Sequence, residues 1–318
     1  MAGSGATWYP CWPMSDAHTP RLLDGKDLAQ RVLEKFRPRL EALVEQGQRP
    51  RLVVVEVGEN QAARSYIRGQ RRGADSWGIE YDLRTLPAST DEKGVRRVLR
   101  ELAADPRVTG VLLAMPLPAG LGARSLQQGI KPSKDVEGVH PENLGGCLYG
   151  SYRLLPCTAL AVMALLEDAD VDLRGKEVVV VGHSEIVGKP AALLLLARDA
   201  TVTVCHKDTQ DLAAHTRKAD VLVVAVGKPG LIRADMVKDG VIVVDVGINA
   251  VPDADNPGKV RLVGDVDYEG VAPKAAAITP VPGGVGPVTV AMLLRNTVLA
   301  AEGMPPPDDP SQLPLFRF

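Results

Sequence analysis

The stretch from Gly175 to Ala197 (GKEVVVVGHSEIVGKPAALLLLA) constrains the fold more than any other part of the chain. Val178 to Val181 is an unbroken β-branched run, the composition of a strand buried on both faces. Gly182 ends that strand, and Gly188, Lys189 and Pro190 open an apolar helix, whose first turn accepts proline because its N–H has no partner there. Strand, glycine turn and helix N-terminus together present backbone N–H groups and a positive dipole end to a phosphate. The spacing Gly182-x-Ser184-x-x-x-Gly188 departs from G-x-G-x-x-G, so these residues alone also allow a buried turn without a ligand.

The remaining elements repeat this alternation. Asp24 precedes a helical pattern (Leu28, Val32, Phe36, Leu40, Leu43), in which Pro38 predicts a kink. Strands are predicted over 51–57, 80–86 and 110–114, with helices over 62–77 and 95–103 between them. That order predicts a mostly parallel sheet. Residues 131–150, rich in glycine, proline and charge, are too long for an idle connection and read as a functional loop. A helix over 157–166 leads to a second unit containing the opening strand and further strands over 201–204, 221–226 and 241–246. The fold class is therefore α/β with two domains, the second doubly wound, its ligands expected at the carboxyl ends of the strands. A helix over 288–301 closes the fold, and the proline-rich residues 305–318 are expected to be mobile.

The 318 residues are enough for two cores, and a net charge of −2 gives no footprint for nucleic acid or an anionic membrane. No apolar run is long enough to cross a bilayer. Cys11, Cys147, Cys157 and Cys205 are scattered without metal-ligand spacing, so no metal is expected. They read as idle thiols of a reducing compartment, here the cytoplasm. Residues 1–18 contain no Lys or Arg and match neither a secretory nor a transit signal. They are expected to be poorly ordered, with Met14 an alternative start.

A strand tip that selects NAD carries a carboxylate for the ribose 2′-hydroxyl. Here the second strand of the doubly wound unit ends Val204-Cys205-His206-Lys207, with a cation at its tip. A 2′-phosphate would pair with Lys207, helped by His183 or His206, which favours NADP; Asp208 keeps NAD open. The two histidines also read as plain polar loop residues.

Five ordered segments are more specific: Leu155-Pro-Cys-Thr158, Ile186-Val-Gly-Lys-Pro190, Val224-Ala-Val-Gly-Lys-Pro-Gly230, Asp245-Val-Gly-Ile-Asn249 and ITPVPGGVGPVTVAML over 278–293. On these the chain resembles, from about Arg21 to Gly303, the bifunctional methylenetetrahydrofolate dehydrogenase/cyclohydrolase family. The resemblance implies a substrate domain of residues 19–156 completed by 286–303, and a Rossmann-like NAD(P)-binding domain over 157–285. It implies tetrahydrofolate one-carbon derivatives as substrates, bound in the cleft between the domains, and a homodimer formed through the nucleotide-binding domain. By resemblance Ser65, Tyr66, Ala114, Glu137, Pro282, Gly283 and Gly284 border the substrate. Gly182, His183, Ser184, Ile186, Val187, His206, Lys207, Val226, Gly227 and Ile248 border the cofactor.

Three positions depart from the family pattern. Its Ser-Tyr-x-x-x-Lys reads Ser65-Tyr66-Ile67-Arg68-Gly69-Gln70, so the lysine that assists hydrolysis of the methenyl group is Gln70. The glutamine that orients that lysine is Ala114, and the pterin-binding aspartate is Glu137. A glutamine is neither a cation nor a proton-shuttling amine. Hydride transfer is expected to survive, with Tyr66 at the catalytic face, and cyclohydrolase activity to be weak or lost. Arg68 and Arg71 project from other parts of the helix and are not expected to replace the lysine. A fully bifunctional enzyme and a non-catalytic folate- or nucleotide-binding relative are the alternatives.

Overall fold

The computed structural model describes residues 19–303 apart from 60, 151, 152, 254, 255 and 257. The N-terminal segment with Cys11 and Met14, and the proline-rich tail, lie outside the described residues.

The described residues open with a two-residue strand, β1 (Arg21–Leu22), and α1 (Gly25–Glu45). Asp24 caps α1 by accepting from the Lys26 amide at 2.8 Å. Leu28, Val32, Phe36, Leu40 and Leu43 make its buried stripe, and Pro38 lies inside the helix without ending it. There follow β2 (Arg51–Val57), α2 (Gln61–Trp77), β3 (Glu80–Leu86), α3 (Glu92–Ala104) and β4 (Gly110–Leu113). Their strands form a parallel sheet in the order β3-β2-β4, as the alternation predicts. The segment read as a continuous loop is partly helical. After α4 (Ala123–Gln127) it carries a 3₁₀ turn at Pro132–Lys134 and a nine-residue helix, α5 (Pro141–Tyr149). His140 caps α5 and Pro141 fills its first turn, while Gly150 closes it in the left-handed conformation.

Helix α6 (Cys157–Asp168) is apolar on every side and nearly all buried. The second unit comprises β5 (Glu177–Val181), α7 (Gly188–Leu196), β6 (Thr201–Cys205), α8 (Leu212–Thr216), β7 (Val221–Val224) and β8 (Val241–Asp245). An antiparallel hairpin, β9 (Asn249–Pro252) and β10 (Val260–Val263), precedes α9 (Tyr268–Val271) and β11 (Ala275–Ile278). The sheet order is β6-β5-β7-β8-β11-β1, all parallel, and the direction of winding reverses between β5 and β7. β7 and β8 end two residues and one residue before their predicted limits, so Val226 and Val246 belong to loops at the carboxyl edge.

The last helix, α10 (Val285–Glu302), packs along α1 and α6 and touches α2. At the other end β1, although it precedes the first unit, hydrogen-bonds beside β11 in the second unit's sheet. Both ends of the described chain therefore bind the two units together. Among the described residues no helix is long and apolar enough to cross a membrane, and no group of three His, Cys, Asp or Glu is placed to hold a metal ion.

Candidate active site

At the winding reversal the backbones of three segments touch. Gly182 has φ +112°, and a Cβ there would lie 2.1 Å from the Ala225 carbonyl oxygen. A Cβ on Gly188 would lie 2.0 Å from the Gly182 carbonyl oxygen. The turn closes only without these side chains. Ser184 accepts through Oγ from the amides of Val187 and Gly188, at 3.2 and 3.4 Å, so it organises the entry to α7 from inside the turn. The imidazoles of His183 and His206, at the tips of β5 and β6, stack with centroids 4.9 Å apart. His206 Nδ1 accepts from the Asp208 amide at 3.3 Å, which fixes the ring at the tip of β6. Lys207 is exposed beside them. Val226 and Ile248, at the ends of β7 and β8, are 46% and 60% exposed, apolar walls on an otherwise polar edge.

Two buried carboxylates hold these loops. Asp265 accepts from the amides of Val226, Gly227 and Lys228 at 2.7 to 2.8 Å, and from Asn249 Nδ2 at 2.8 Å. Asp245 accepts from the amides of Gly247, Asp265 and Val266 at 2.9 to 3.0 Å. Burial pushes Asp245 up to about 6 against those three bonds. Thr279 Oγ1 accepts from the Asp245 amide at 2.8 Å, linking β8 to the Pro282-Gly283-Gly284 loop. That loop is fixed from the opposite side where the Gly25 amide donates to the Gly283 carbonyl at 2.9 Å.

In the first unit, α2 carries Tyr66 and Gln70 one turn apart on one face, with Ser65 exposed beside them. Gln70 is wholly buried; its Oε1 accepts from the Tyr81 hydroxyl at 3.1 Å, and its Nε2 has no hydrogen-bond partner. The Tyr66 hydroxyl lies against the same amide, and burial, Cys157 and Glu137 hold the phenol well above its ordinary range. Glu137 Oε2 is buried without a partner, and burial beside Asp135 pushes the carboxyl up to about 8. Asp135 itself is spent on structure, accepting from the amides of Gly138 and His140 and from Asn143 Nδ2. Ala114 closes the end of β4 as a buried residue, 7% exposed. Between the units a cavity of about 560 Å³ is lined by Arg124, Gln127, Leu144, Glu185 and Ile186. An Arg124–Glu185 ion pair bridges its mouth.

Residues 23–137 match the family described as tetrahydrofolate dehydrogenase/cyclohydrolase, catalytic domain, and residues 156–304 match its NAD(P)-binding domain. The chain belongs to the tetrahydrofolate dehydrogenase/cyclohydrolase family. Bifunctional protein FolD 2 of Mesorhizobium japonicum is 48% identical over 287 residues, covering 90% of this chain and 93% of that protein. Among solved structures, the bifunctional FolD of Campylobacter jejuni superposes with a TM-score of 0.84 at 42% identity, covering 89% of this chain and 98% of that one. The Trypanosoma brucei FolD, solved with NADP cofactor and an inhibitor, superposes with a TM-score of 0.86 at 36% identity, covering 90% and 98%.

Within this family fold, the residues expected at the cofactor lie at the carboxyl edge around the winding reversal, and Tyr66, Gln70 and Glu137 gather beside one another in the first unit. Arg71 lies over the Tyr81 ring at 5.0 Å. Reading the sequence alone overlooked Tyr81, which holds Gln70, and Asp265, which shapes the Val226–Lys228 turn. Asp265 had a signal in Gly264-Asp265-Val266, a carboxylate set between a glycine and a β-branched residue near strand-forming segments. Tyr81 had none, because β3 alternates too weakly to mark one residue.

Proposed function

We propose that the protein is an NADP-dependent 5,10-methylenetetrahydrofolate dehydrogenase with little or no methenyltetrahydrofolate cyclohydrolase activity, acting in the cytoplasm as a homodimer. The observation that carries this reading is Gln70: a buried neutral amide, its Nε2 unpartnered, where the family has a lysine. The Gly182–Gly188 cradle, in which Cβ atoms would clash with backbone, fits the close approach of a pyrophosphate. The His183–His206 stack with Lys207 fits a 2′-phosphate, and Val226 and Ile248 fit the flat faces of a nicotinamide ring. Glu137, whose Oε2 is left without a partner beside Tyr66, is the acceptor that fits the N–H edge of a pterin, and Gln70 lies behind Tyr66 as a buried donor. The substrate domain is residues 19–156 with 286–303, less the two residues of β1, and 157–285 form the nucleotide domain.

When bound, NADP supplies the hydride acceptor. The chain's own part is to hold the substrate's methylene carbon at reacting distance and to keep water out of the cleft. One hydride leaves that carbon and no proton moves, so a neutral Gln70 costs the step nothing. Hydrolysis of the methenyl product differs. Water adds at the same carbon and loses a proton, which needs an amine or another base beside it. Gln70 offers neither.

The test is one preparation assayed twice. With methylenetetrahydrofolate and NADP, methenyl absorbance is expected to accumulate; added methenyltetrahydrofolate is expected to decay at the buffer rate. Enzyme-dependent decay would defeat the reading of Gln70, and silence in the first assay, with NAD tried as well, would defeat the dehydrogenase.

Glu137 adds a pH signature. Burial beside Asp135 holds its carboxyl up to about 8, so it is protonated at neutral pH before substrate binds. The pterin N–H donors favour the carboxylate, so binding lowers this value and releases a proton. Tetrahydrofolate affinity is expected to rise with pH, by at most about tenfold per unit, and to level off above about 8. Calorimetry in two buffers of different ionisation enthalpy measures the released proton; in Glu137→Gln it should vanish.

A further inference from the structure

α10 is mostly apolar, yet its buried face carries Arg295 and Asn296, 3% and 0% exposed. Asn296 Nδ2 donates to the carbonyls of Val136 and Leu155, both at 2.9 Å, and lies 3.4 Å from Cys157 Sγ. The Cys157 thiol in turn donates to the Val136 carbonyl at 3.2 Å, and the Cys157 amide donates to the Glu137 carbonyl at 3.2 Å. On the far side Gly138 packs against Leu155 so closely that a Cβ would lie 2.3 Å from its carbonyl carbon. The peptide units on both sides of Glu137 are thus fixed, while its side chain is left with an unpartnered oxygen.

Arg295 is the second half of the arrangement. Its Nη1 donates to Asn296 Oδ1 at 3.0 Å, its guanidinium lies 5.1 Å from the Phe36 ring centroid, and its Nε has no partner. A buried cation is costly to keep. A charge-assisted bond at Oδ1 draws electron density from the amide and strengthens the donors at Nδ2, which face the Val136 and Leu155 carbonyls.

We propose that Arg295 and Asn296 are positioning residues for substrate binding, a polarised amide on the returning helix that sets where Glu137 meets the pterin. The inference rests on the reading of Glu137 as the pterin acceptor. Both side chains are buried and act through the peptides on either side of Glu137, so the effect is expected in substrate affinity.

In the full-length enzyme, Asn296→Ala is expected to raise KM for methylenetetrahydrofolate by about tenfold, the cost of orphaned carbonyls. Its kcat and NADP Kd should stay near the parent values. Arg295→Met should move KM the same way by a smaller factor, with Arg295→Lys restoring part of it. If Asn296→Ala does not fold, Cys157→Ala removes one bond to the Val136 carbonyl and should give the same split on a smaller scale, with Cys157→Ser restoring it. Loss of kcat, NADP affinity and thermal stability together would mean a merely structural role and overturn the proposal. An unchanged KM in both Asn296→Ala and Cys157→Ala would overturn it too. Glu137→Gln separates the two readings. If it raises KM while the other variants do not, only the positioning role fails; if it leaves KM unchanged, the assignment of Glu137 fails and the positioning role with it.

Discussion

Hydrolysis of methenyltetrahydrofolate is expected to rise by about 100-fold when Gln70→Lys and Ala114→Gln are made together, the lower range of what a placed acid–base group contributes. Gln70 is wholly buried, so a lysine there loses hydration and its pKa falls toward the range in which an amine both takes and returns a proton. Tyr66 and Tyr81 already converge on the position, and Glu137 lies close to Tyr66. Gln70→Lys alone is expected to give about tenfold, because nothing at Ala114 holds the amine in place. Ala114→Gln alone should give no hydrolysis and a small loss of stability, since residue 114 is packed into the core. Decay of methenyl absorbance and formation of methenyl product, followed on the same preparation, separate the two reactions. A folded double variant that still oxidises methylenetetrahydrofolate but hydrolyses no faster than its parent would sink the account of the lost lysine.

The second large effect is a loss. Gly188→Ala puts a methyl group 2.0 Å from the Gly182 carbonyl oxygen and 3.0 Å from the His183 Cα, and both neighbours are backbone that cannot swing aside. Moving either one opens the turn organised by Ser184 and tilts the first turn of α7 away from the proposed phosphate position. NADP affinity is expected to fall by at least about 100-fold, about 2.8 kcal/mol, and dehydrogenase kcat/KM with it. Tetrahydrofolate binding, measured by calorimetry, should persist because Tyr66 and Glu137, the proposed folate contacts, belong to the first unit and not to this turn. NADP binding within a few-fold of the parent would show that the close approach at Gly188 is not what shapes the nucleotide site.

These expectations draw on features of unequal legibility. The run Val178–Val181 with its glycine turn was readable because burial on both faces leaves a continuous apolar signature, and the N-terminal alternation of strands and helices was readable for a similar reason. The helix at Pro141–Tyr149 was hidden. Gly145 and Gly146 lower its propensity, and its start is marked by His140 and Pro141, a weaker signal than a serine or aspartate cap. β1 has two residues and a partner more than 250 positions away, so no local pattern exists to find. At the site, Gln70, Ala114 and Glu137 stood out only against the family pattern, and the unpartnered Gln70 and Glu137 atoms appear only in three dimensions. Asn296 was least legible: a polar residue within an apolar helix acquires meaning only from the carbonyls packed against it.

The exchange at the ends of the fold has a further consequence. Because β1 is lent to the nucleotide sheet and α10 is returned to α1 and α6, neither unit closes its own surface without a piece of the other. A folate half and a nucleotide half cut apart between α5 and α6 would each leave the other's borrowed piece without its partner. Single-residue changes such as those at Gln70, Ala114 and Glu137 leave that mutual closure in place.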